Sequence, residues 1–323
     1  MDMQEIKARA ARCRMAVLGD FCLDIYWHAD MRRSELSRET PHFPLPVVKE
    51  RMSAGGAGNV AANLLALTPA AVQCIGVFGE DWRGREYRRI LREMGADERL
   101  VVDDPDRRTD TYAKPLRQGL SGVIYEDPRL DFTNDKPPAP ATEARLLEAL
   151  DGLDCDVLCV CDQMRDGCVT PAVRERLCRL GREGMTVVVD SRDRIGLYSG
   201  VIVKPNELEA ARALQAAPTK EPDALAAQAQ ALSRRTGRPA VITAGEQGCV
   251  TAEGGRTAHV PAVPVEGEID ICGAGDTFMA GLATGLAAGA SLNEAAALAC
   301  AAAAVIVKKL HATGTATWAE LGL

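Results

Sequence analysis

A glycine-rich turn near the C-terminal end of the chain carries the strongest chemical signal. Gly273, Ala274, Gly275 and Asp276 lie just before a helical pattern that continues from Met279. Glycines permit a tight turn, and the unpaired N–H groups of a helix N-terminus attract phosphate oxygens. A carboxylate there could take a proton from an attacking hydroxyl. The turn predicts phosphoryl transfer with Asp276 as the base, although a plain turn with a helix-stabilising acid fits the spacing equally well.

A second glycine cluster lies early in the chain. Gly55 and Gly56 are followed by Gly58 and Asn59. With Ala61, the Gly56-x-Gly58-x-x-Ala61 spacing also imitates the fingerprint of a dinucleotide-dependent oxidoreductase. The residues before it do not read as the end of a buried strand. We therefore favour close backbone approach to a polyhydroxylated substrate bound by Gly55, Gly56 and Asn59.

Two carboxylates, Asp20 and Asp24, follow the first strand pattern, at Met15–Leu18. Ligands of open α/β sheets bind beyond the carboxyl ends of the strands. Carboxylates there can accept hydrogen bonds from sugar hydroxyls. Both residues are candidate substrate ligands, and the alternative for Asp24 is a solvated loop acid.

A polar segment after a later strand could handle nucleotide and metal. Asn206 and Glu209 are three residues apart and share one face of a helical turn. They could hold a hydrated Mg²⁺ near phosphates, because Mg²⁺ usually keeps several waters. An N-cap asparagine with a first-turn glutamate is the alternative, and for this segment alone it is the stronger one.

The remaining nucleotide candidates flank that segment or follow the next strand. Lys204 precedes Asn206, and Thr243 ends the strand pattern at 240–243. The turn that contains Gly245 and Gly248 suits the edge of a nucleotide, although it could equally be a hairpin.

The elements that would position these residues alternate between strands and helices. Apolar runs predict strands at 15–18, 72–77, 156–160, 186–189, 201–203 and 240–243, and helical patterns occupy 59–67, 82–94, 170–180, 223–236 and 276–309. Such alternation predicts an α/β fold whose central, mostly parallel β-sheet is flanked by helices.

Two excursions interrupt the alternation, at about 28–49 and 107–132. Proline-containing and β-like stretches there predict strands that pair into a small β lid within a single domain spanning 1–323. Two surface loops are the alternative. An exposed small sheet needs cover for its edges and apolar face, so we expect a homodimer formed through the lid.

Composition excludes several classes of function. The net charge is −7, the pI is about 5.3 and aromatic residues make up 4% of the chain, which argues against nucleic-acid and anionic-membrane partners. The longest apolar run, 295–307, is too short to span a membrane. Eleven cysteines without a preceding secretory pattern predict reduced thiols in a cytoplasmic protein.

Taken together, the motifs resemble the ribokinase-like sugar kinases, the phosphofructokinase-B family. The segment 273–276 is similar to its C-terminal signature, 55–59 to its glycine motif, and Asn206-x-x-Glu209 to its magnesium-associated motif. The resemblance covers roughly residues 12–318. It implies a ribokinase-like fold, ATP and Mg²⁺ as cofactors, a K⁺ site near Asp270, and Asp276 as general base, with the amides of Gly273, Ala274 and Gly275 on the phosphoryl group.

Within that family the sequence most resembles the heptose-7-phosphate kinases, the kinase half of ADP-heptose synthase. The residues that carry this resemblance include Gly19-Asp20, Leu23-Asp24-x-Tyr26-Trp27, Ser37-Arg38, the stretch 44–49 and, loosely, Thr313-Gly314-Thr315. Cys272 stands where a threonine is usual, and His42-Phe43 where a Glu-Ala pair is usual. The expected acceptor is a sugar or sugar phosphate, with heptose 7-phosphate as one candidate. A neutral-sugar or nucleoside kinase and a non-catalytic sensor are the alternatives.

Four cationic residues favour a phosphorylated acceptor. Lys114 and Arg117 lie in the second excursion, and Arg165 and Arg192 follow later strands. A phosphorylated sugar carries a charge of about −1.5 to −2, which needs cationic partners when it is shielded from water. Lys114 and Arg117 are therefore candidate substrate ligands, and the alternative is that all four are solvated surface charges.

Overall fold

The computed structural model describes residues 1–310 and 314–323. In chain order its strands are β1 (Arg14–Gly19), β2 (Phe21–Asp30), β3 (Val47–Gly56), β4 (Ala71–Gly79), β5 (Asp97–Asp104), β6 (Thr111–Gln118), β7 (Ile124–Glu126), β8 (Leu130–Phe132), β9 (Val157–Asp162), β10 (Val187–Ser191), β11 (Ile202–Val203), β12 (Ala240–Thr243), β13 (Cys249–Glu253) and β14 (Arg256–Val260). Its helices are α1 (Met3–Ala10), α2 (Ala57–Ala66), α3 (Trp82–Met94), α4 (Pro140–Asp151), α5 (Pro171–Arg182), α6 (Glu207–Leu214), α7 (Pro222–Thr236), α8 (Ala274–Ala287) and α9 (Leu292–Ile306).

The central sheet has the strand order β14-β13-β12-β11-β10-β9-β1-β4-β5. Pairing is parallel from β12 to β5, and only β13 and β14 run antiparallel at one edge. Successive residues of β1 point to opposite faces: Met15 and Val17 join one apolar core, and Ala16 and Leu18 join the other. Helices α2, α3, α8 and α9 cover the first face, and α4 to α7 cover the second. The predicted mostly parallel sheet with flanking helices is confirmed.

A second sheet, called the lid sheet below, has the order β3-β2-β6-β7, with β8 paired to β6. The predicted small β lid is therefore confirmed: β6, β7 and β8 lie within the expected excursion 107–132, whereas β2 begins before and β3 ends after the expected excursion 28–49. β2 starts at Phe21, with only Asp20 between it and the end of β1, and β3 extends to Gly56. Between them, residues 31–46 are mostly loop. The expected span 28–49 thus contains the connection between two long strands and only the last residues of β2 and the first residues of β3.

The two faces of the lid sheet differ in character. Leu23, Ile25 and Ala113 are almost fully buried and belong to the first apolar core. Residues of opposite parity, such as Asp24 on β2 and Lys114 on β6, leave the other face because strand side chains alternate. The chain therefore presents a polar lid face, and the space between this face and the N-terminus of α8 is called the cleft.

Some elements carry weaker sequence signals than those predicted. The segment 134–142 reads as a proline-rich connector, yet α4 begins at Pro140, where the missing N–H of proline costs nothing. The edge strand β5 has a single short apolar run, 100–102, between acidic residues at both ends, which weakens its signal. Within 1–310 and 314–323, no helix has the length and apolarity to cross a membrane.

Candidate active site

The turn before α8 places Asp276 in the first helical turn. Gly273 is the N-cap, with φ +79, a left-handed conformation that favours glycine. A Cβ at Gly275 would meet no atom within 4 Å, so the backbone there is open to a ligand. The amide of Ala274 donates to the carbonyl of Ile271 at 3.1 Å. That bond occupies the amide of Ala274, contrary to the expectation that it faces a phosphoryl group, whereas no backbone hydrogen bond from the amides of Gly273 and Gly275 is found within the described chain.

Asp276 is a half-buried acid in a crowded electrostatic environment. Burial raises the pKa of Asp276 to about 6, and the negative charges of Asp190 and Asp24 add to this effect. A hydrogen bond from Nδ2 of Asn59 to Oδ2 of Asp276, at 2.7 Å, and the charge of Lys204 act in the opposite direction. A base with a pKa near 6 is ionised at neutral pH and still basic enough to accept a proton.

Asp24 and Lys114 form an ion pair on the polar lid face. Asp24 is 6% exposed, and its Oδ2 lies 3.4 Å from Nζ of Lys114. Lys114 also donates to the hydroxyl of Tyr26 at 3.1 Å. Burial lowers the pKa of Lys114, but Asp24 and Tyr26 outweigh it and the net pKa is raised. The charge of Lys114 also reaches the thiol of Cys272, whose pKa burial raises, so the pair lies opposite the turn before α8.

The lid strand β3 adds an unpaired hydroxyl beside Asp24. Ser53 is the antiparallel partner of Asp24 in the β2–β3 ladder, so both side chains leave the same face. The buried Oγ of Ser53 has no hydrogen-bond partner in the described protein. Two residues further on, a Cβ at Gly55 would lie 2.9 Å from the Asp24 carboxylate. Gly55 therefore allows β3 to approach the Asp24 side chain more closely than a residue with a Cβ could.

On the opposite side of Asp276, a buried lysine pairs with a strand-end acid. Lys204 is 3% exposed, and its Nζ lies 2.9 Å from Oδ2 of Asp190. Burial lowers the pKa of Lys204, but Asp190 and the nearby Glu209 and Asp276 outweigh it and raise the net value. Asp190, Lys204 and Asp276 thus meet at the carboxyl ends of β10 and β11, where the sequence predicts a ligand.

Asn206 and Glu209 form a capping box at the start of α6. Oδ1 of Asn206 accepts from the amides of Leu208 and Glu209, and Oε2 of Glu209 accepts from the amide of Asn206, each at 2.9 Å. Asn206 is therefore an N-cap residue, and its side-chain oxygen already accepts two backbone hydrogen bonds. Burial, followed by the charge of Asp190, raises the pKa of Glu209 to about 7, so this carboxylate favours a nearby cation.

Thr243, Gly245 and Gly248 lie at the end of β12 and the turn that follows. The amide of Thr243 donates to the carbonyl of Pro205 at 3.0 Å, which joins this turn to the segment of Lys204. A Cβ at Gly245 would meet nothing within 4 Å. At Gly248, with φ +88, it would lie 2.2 Å from the carbonyl of Val260, so this glycine serves the β13–β14 hairpin packing. The hairpin alternative is correct for the local fold, and Gly245 keeps a surface open to a ligand.

The structure gives Asp20 a different role from the substrate contact that the sequence suggests. It is 5% exposed, and its carboxylate accepts from the amides of Gln163, Met164 and Cys168 at 2.7–2.9 Å. A Cβ at Gly167 would lie 2.1 Å from its Oδ1. Asp20 therefore holds the loop after β9 and is not presented to a substrate as the sequence suggested.

The glycine cluster of β3 serves backbone packing as well as the cleft. Gly56 has φ +55, and a Cβ there would lie 2.3 Å from the carbonyl of Asp20. A Cβ at Gly58 would lie 2.0 Å from the hydroxyl of Tyr87, which donates to the carbonyl of Gly55 at 2.8 Å. Packing of Gly56 against the backbone of Asp20 and of Gly58 against Tyr87 accounts for the Gly56-x-Gly58 spacing without a dinucleotide.

The predicted cations do not all reach the cleft. Arg117 is three residues from Lys114, so it leaves the opposite face of β6, and its Nε is bound by Asp127 at 3.0 Å. This placement corrects its assignment as a substrate ligand. Arg165 is exposed and pairs with Asp166 at 3.3 Å. Arg192 is exposed at the end of β10, and its charge reaches Tyr112 of the lid and Glu209 of α6.

Sequence reasoning missed two residues of the polar lid face, Arg51 and Ser53. Arg51 of β3 pairs in register with Tyr26 and stacks on its ring at 4.1 Å. Ser53 follows two residues later on the same face. The alternation Arg51-x-Ser53-x-Gly55 could have indicated a common face, had β3 been recognised as a strand. Thr313, part of the loose C-terminal match, lies outside the described residues.

Comparison with known proteins places these features in one family. The pfkB family carbohydrate kinase model matches residues 23–319. Bifunctional protein HldE of Citrifermentans bemidjiense is 35% identical over 326 residues, covering 98% of this chain and 64% of that protein. The HldE protein of Caulobacter vibrioides is 37% identical over 316 residues, covering 94% of this chain and 62% of that protein. This chain thus spans less than two thirds of the length of these relatives.

Solved structures show the same fold at low identity. Phosphofructokinase-2 from Escherichia coli in complex with fructose-6-phosphate has a TM-score of 0.73 at 20% identity, covering 96% of this chain and 97% of that one. Arabidopsis thaliana ribokinase complexed with ribose and ATP has a TM-score of 0.71 at 18% identity, with the same coverage. The fold is therefore ribokinase-like, and the chain belongs to the pfkB family of carbohydrate kinases.

Proposed function

We propose that this carbohydrate kinase transfers the γ-phosphoryl group of ATP to a hydroxyl of a sugar or sugar phosphate, with Asp276 as general base. The carrying observation is the position of Asp276. A half-buried carboxylate with a pKa of about 6 stands at the start of α8, opposite the buried Asp24–Lys114 pair of the lid sheet. One side of the cleft suits a polyhydroxylated acceptor, and the other suits phosphate.

The chain's own groups divide the work. Asp276 accepts the proton of the attacking hydroxyl, and Asn59 donates to the base at 2.7 Å and holds its orientation. The amides of Gly273 and Gly275 donate to the oxygens of the transferring group, where negative charge develops. Lys204 supplies a positive charge from the strand ends. Positioning and electrostatics carry most of the catalysis in phosphoryl transfer, so no covalent intermediate is needed.

The donor set near α6 fits a hydrated Mg²⁺ bound mainly through phosphates and water. Glu209 and Asp190 are oxygen ligands whose mutual repulsion a cation would relieve. The described residues contain no group of three or more acidic, histidine or cysteine side chains that would enclose a metal by themselves. Glu209 would therefore hold the ion through water, and Asn206 would orient Glu209 by capping α6. When bound, Mg²⁺ would neutralise phosphate charge.

The nucleotide would lie along Lys204, Thr243 and Gly245, where the backbone is open at Gly245. The solved E. coli phosphofructokinase-2 structures include one in complex with potassium. In this chain the amide of Cys272 donates to Oδ1 of Asp270 at 2.9 Å. We keep a K⁺ site near Asp270 as part of the proposal, and KCl against choline chloride in the assay tests it.

A phosphorylated acceptor, including heptose 7-phosphate, fits the polar lid face better than a neutral sugar. Lys114 and Arg51 lie on either side of the Tyr26 ring, and Arg192 stands at the neighbouring strand end. Of these three cations, only Lys114 forms an ion pair with Asp24. The N–H groups of the other two cations would therefore be available to bind the phosphate. A neutral-sugar or nucleoside acceptor is the competing outcome. Because Asp276 and both glycine turns are present, a non-catalytic sensor is less well supported.

A homodimer through the lid completes the proposal. Large apolar side chains are exposed along the lid loops and short strands, including Phe43 at 61%, Leu120 at 82% and Ile124 at 60%. A second copy is the occupant that would cover them. Sedimentation of the wild type and of Ile124→Glu at micromolar protein tests this, because a wild-type monomer contradicts it. We treat 1–323 as one kinase domain, and its free thiols suit the reducing cytoplasm.

A substrate screen tests the proposed activity directly. ADP release is measured for sugar phosphates and their unphosphorylated parents, with Asp276→Asn as the control for contaminating kinases. The proposal expects acceptor-dependent ADP release that Asp276→Asn abolishes. Absence of turnover with every acceptor, or turnover that survives in Asp276→Asn, contradicts it.

A further inference from the structure

A buried asparagine one helical turn after Asn59 is bonded on every side. Asn63 is 1% exposed on α2. Its Nδ2 donates to the backbone carbonyls of Asn59 at 2.9 Å and Gly314 at 3.4 Å. Its Oδ1 accepts from the hydroxyl of Thr277 at 3.0 Å and from the amide of Ala316 at 3.3 Å. Asn63 therefore joins α2, the first turn of α8 and the C-terminal segment.

The backbone partners determine which end of the Asn63 amide points in each direction. An N–H group can only donate, and a carbonyl oxygen can only accept. The amide of Ala316 therefore requires Oδ1, and the carbonyls of Asn59 and Gly314 require Nδ2. A rotated Asn63 side chain would set donor against donor and acceptor against acceptor, so the backbone favours one orientation, and the Thr277 hydroxyl holds the side chain against these partners.

The fixed Asn63 amide then selects the orientation of the Asn59 side chain. Nδ2 of Asn63 lies 3.4 Å from Oδ1 of Asn59. This contact draws the oxygen end of the Asn59 amide toward Asn63. The nitrogen end is left facing Oδ2 of Asp276 at 2.7 Å. With the opposite rotation, an amide oxygen would face the carboxylate and repel it.

We propose that Asn63 is a positioning residue, which acts through Asn59 and is held by Thr277 and the backbone of Gly314 and Ala316, so that an N–H group always faces the Asp276 base. This inference rests on the proposed role of Asp276. It assigns a catalytic consequence to the C-terminal segment, which lies far from the base in sequence.

The expected consequence concerns the ionised form of Asp276. The titratable and charged groups around it come from several elements: Asp24 of β2, Cys161 of β9, Asp190 of β10, Lys204 after β11 and Cys272 before α8. Burial raises the pKa of Asp276 most, Asp190 and Asp24 add to this, and the Asn59 bond opposes them. Rotation of Asn59 would remove that opposing bond, so the base would ionise only at higher pH.

Two threonines of α8 provide a matched test. Thr277→Val removes the hydroxyl that holds Asn63, whereas Thr284→Val removes an equally buried hydroxyl that lies 4.0 Å from Sδ of Met15. We expect Thr277→Val to move the acid limb of the kcat/KM profile upward by about half a unit to one unit and to lower kcat near pH 6 by about two- to fivefold. The acceptor KM should stay within about twofold, because no substrate contact is lost. Thr277→Ser should restore the wild-type profile, and Thr284→Val should leave it unchanged.

Asn63→Asp provides a second, independent variant. It keeps the oxygen that accepts from Thr277 and Ala316 but places another oxygen against Oδ1 of Asn59. We expect Asn59 to rotate and the acid limb to rise by about one unit. If this variant does not fold, the Thr277 series still decides the question.

The outcomes separate this inference from the proposed function. If Asp276→Asn is inactive but neither Thr277→Val nor Asn63→Asp moves the acid limb, the positioning role of Asn63 is wrong and the kinase mechanism stands. An equal shift in Thr284→Val also overturns the positioning role, because the effect would then follow from any lost hydroxyl in α8. If Asp276→Asn keeps turnover, the proposed mechanism fails, and this inference fails with it.

Discussion

The side-chain amide of Asn59 lies 2.7 Å from Oδ2 of Asp276, and the two residues are 217 positions apart in the sequence. Asn59 belongs to the glycine cluster that ends β3 and begins α2, and Asp276 belongs to the turn that begins α8. The close packing of α2 against α8 therefore unites the two glycine motifs in one site. Under the proposed function, the first motif would serve the acceptor side of the cleft, and the second would serve the phosphoryl side.

Asp20 stabilises the fold rather than a substrate, so its removal should lower stability. Asp20→Ala leaves three buried amides without their acceptor, and we expect a loss of about 3 kcal/mol or more in the free energy of unfolding. Gly167→Ala should be similarly harmful, because its Cβ would lie 2.1 Å from the Asp20 carboxylate. Urea denaturation measures both. Gly152→Ala is the control, since its Cβ would meet only the carbonyl of Glu148 at 3.7 Å; comparable losses in the control would contradict this role for Asp20.

Lys114 and Arg117 should differ in their effect on acceptor choice. Lys114→Ala should lower kcat/KM for a sugar phosphate by about ten- to a hundredfold, because a charge-assisted contact is lost, with a smaller effect on the parent sugar. Arg117→Ala should change neither, since its guanidinium is held by Asp127 on the opposite face. Steady-state kinetics of both variants on both acceptors decide the question. If Lys114→Ala lowers kcat/KM equally for the two acceptors, a neutral sugar becomes the better assignment.

Ser53→Ala should weaken acceptor binding without weakening the free protein. The buried Oγ of Ser53 has no partner in the described protein, so its removal should leave Tm unchanged or slightly higher. The acceptor KM should rise by about three- to tenfold, whereas the KM for ATP should not change, because one hydrogen bond to a sugar hydroxyl is lost. Ser121→Ala, in the exposed lid turn, is the matched control. A lower Tm with an unchanged acceptor KM would assign Ser53 a purely structural role.

The central sheet and the two glycine turns were predictable because their signals are local. A buried parallel strand appears as an apolar run, and helix α3 was predicted with its observed bounds, 82–94. The position of Asp276 in the first turn of α8 was predictable for the same reason, since a glycine turn and the helix after it are adjacent in sequence.

Roles that depend on distant partners were not predictable. Asp20 and Asp24 look alike after the first strand, but the amides that occupy Asp20 come from the loop after β9, more than 140 residues away. Gly58 is required by the hydroxyl of Tyr87, which no local pattern reveals. Arg117 is different: its odd spacing from Lys114 already placed it on the other face, once the strand was recognised.

The pH dependence should follow the ionisation of Asp276. A general base acts only when deprotonated, and burial raises the pKa of Asp276 to about 6, so kcat/KM should fall about tenfold per unit below pH 6. The same shift makes the ionised carboxylate destabilising: the cost begins above the ordinary value of 3.8 and is complete above about 6. Asp276→Asn should therefore raise Tm at pH 7.5, and this gain should vanish toward pH 4. A Tm gain that does not depend on pH would contradict the assigned ionisation.

The most direct test of the account is the single-turnover rate of phosphoryl transfer in Asp276→Asn, measured with saturating ATP and acceptor. Asp110→Asn is the matched control: burial also raises the pKa of Asp110 to about 6, but its carboxylate is bound by Asn134 at 3.1 Å and not placed at α8. We predict a loss of about 10²- to 10⁴-fold in Asp276→Asn, with ATP binding retained, and a rate within about threefold of wild type in Asp110→Asn. A wild-type rate in Asp276→Asn would contradict the role of Asp276 as the general base.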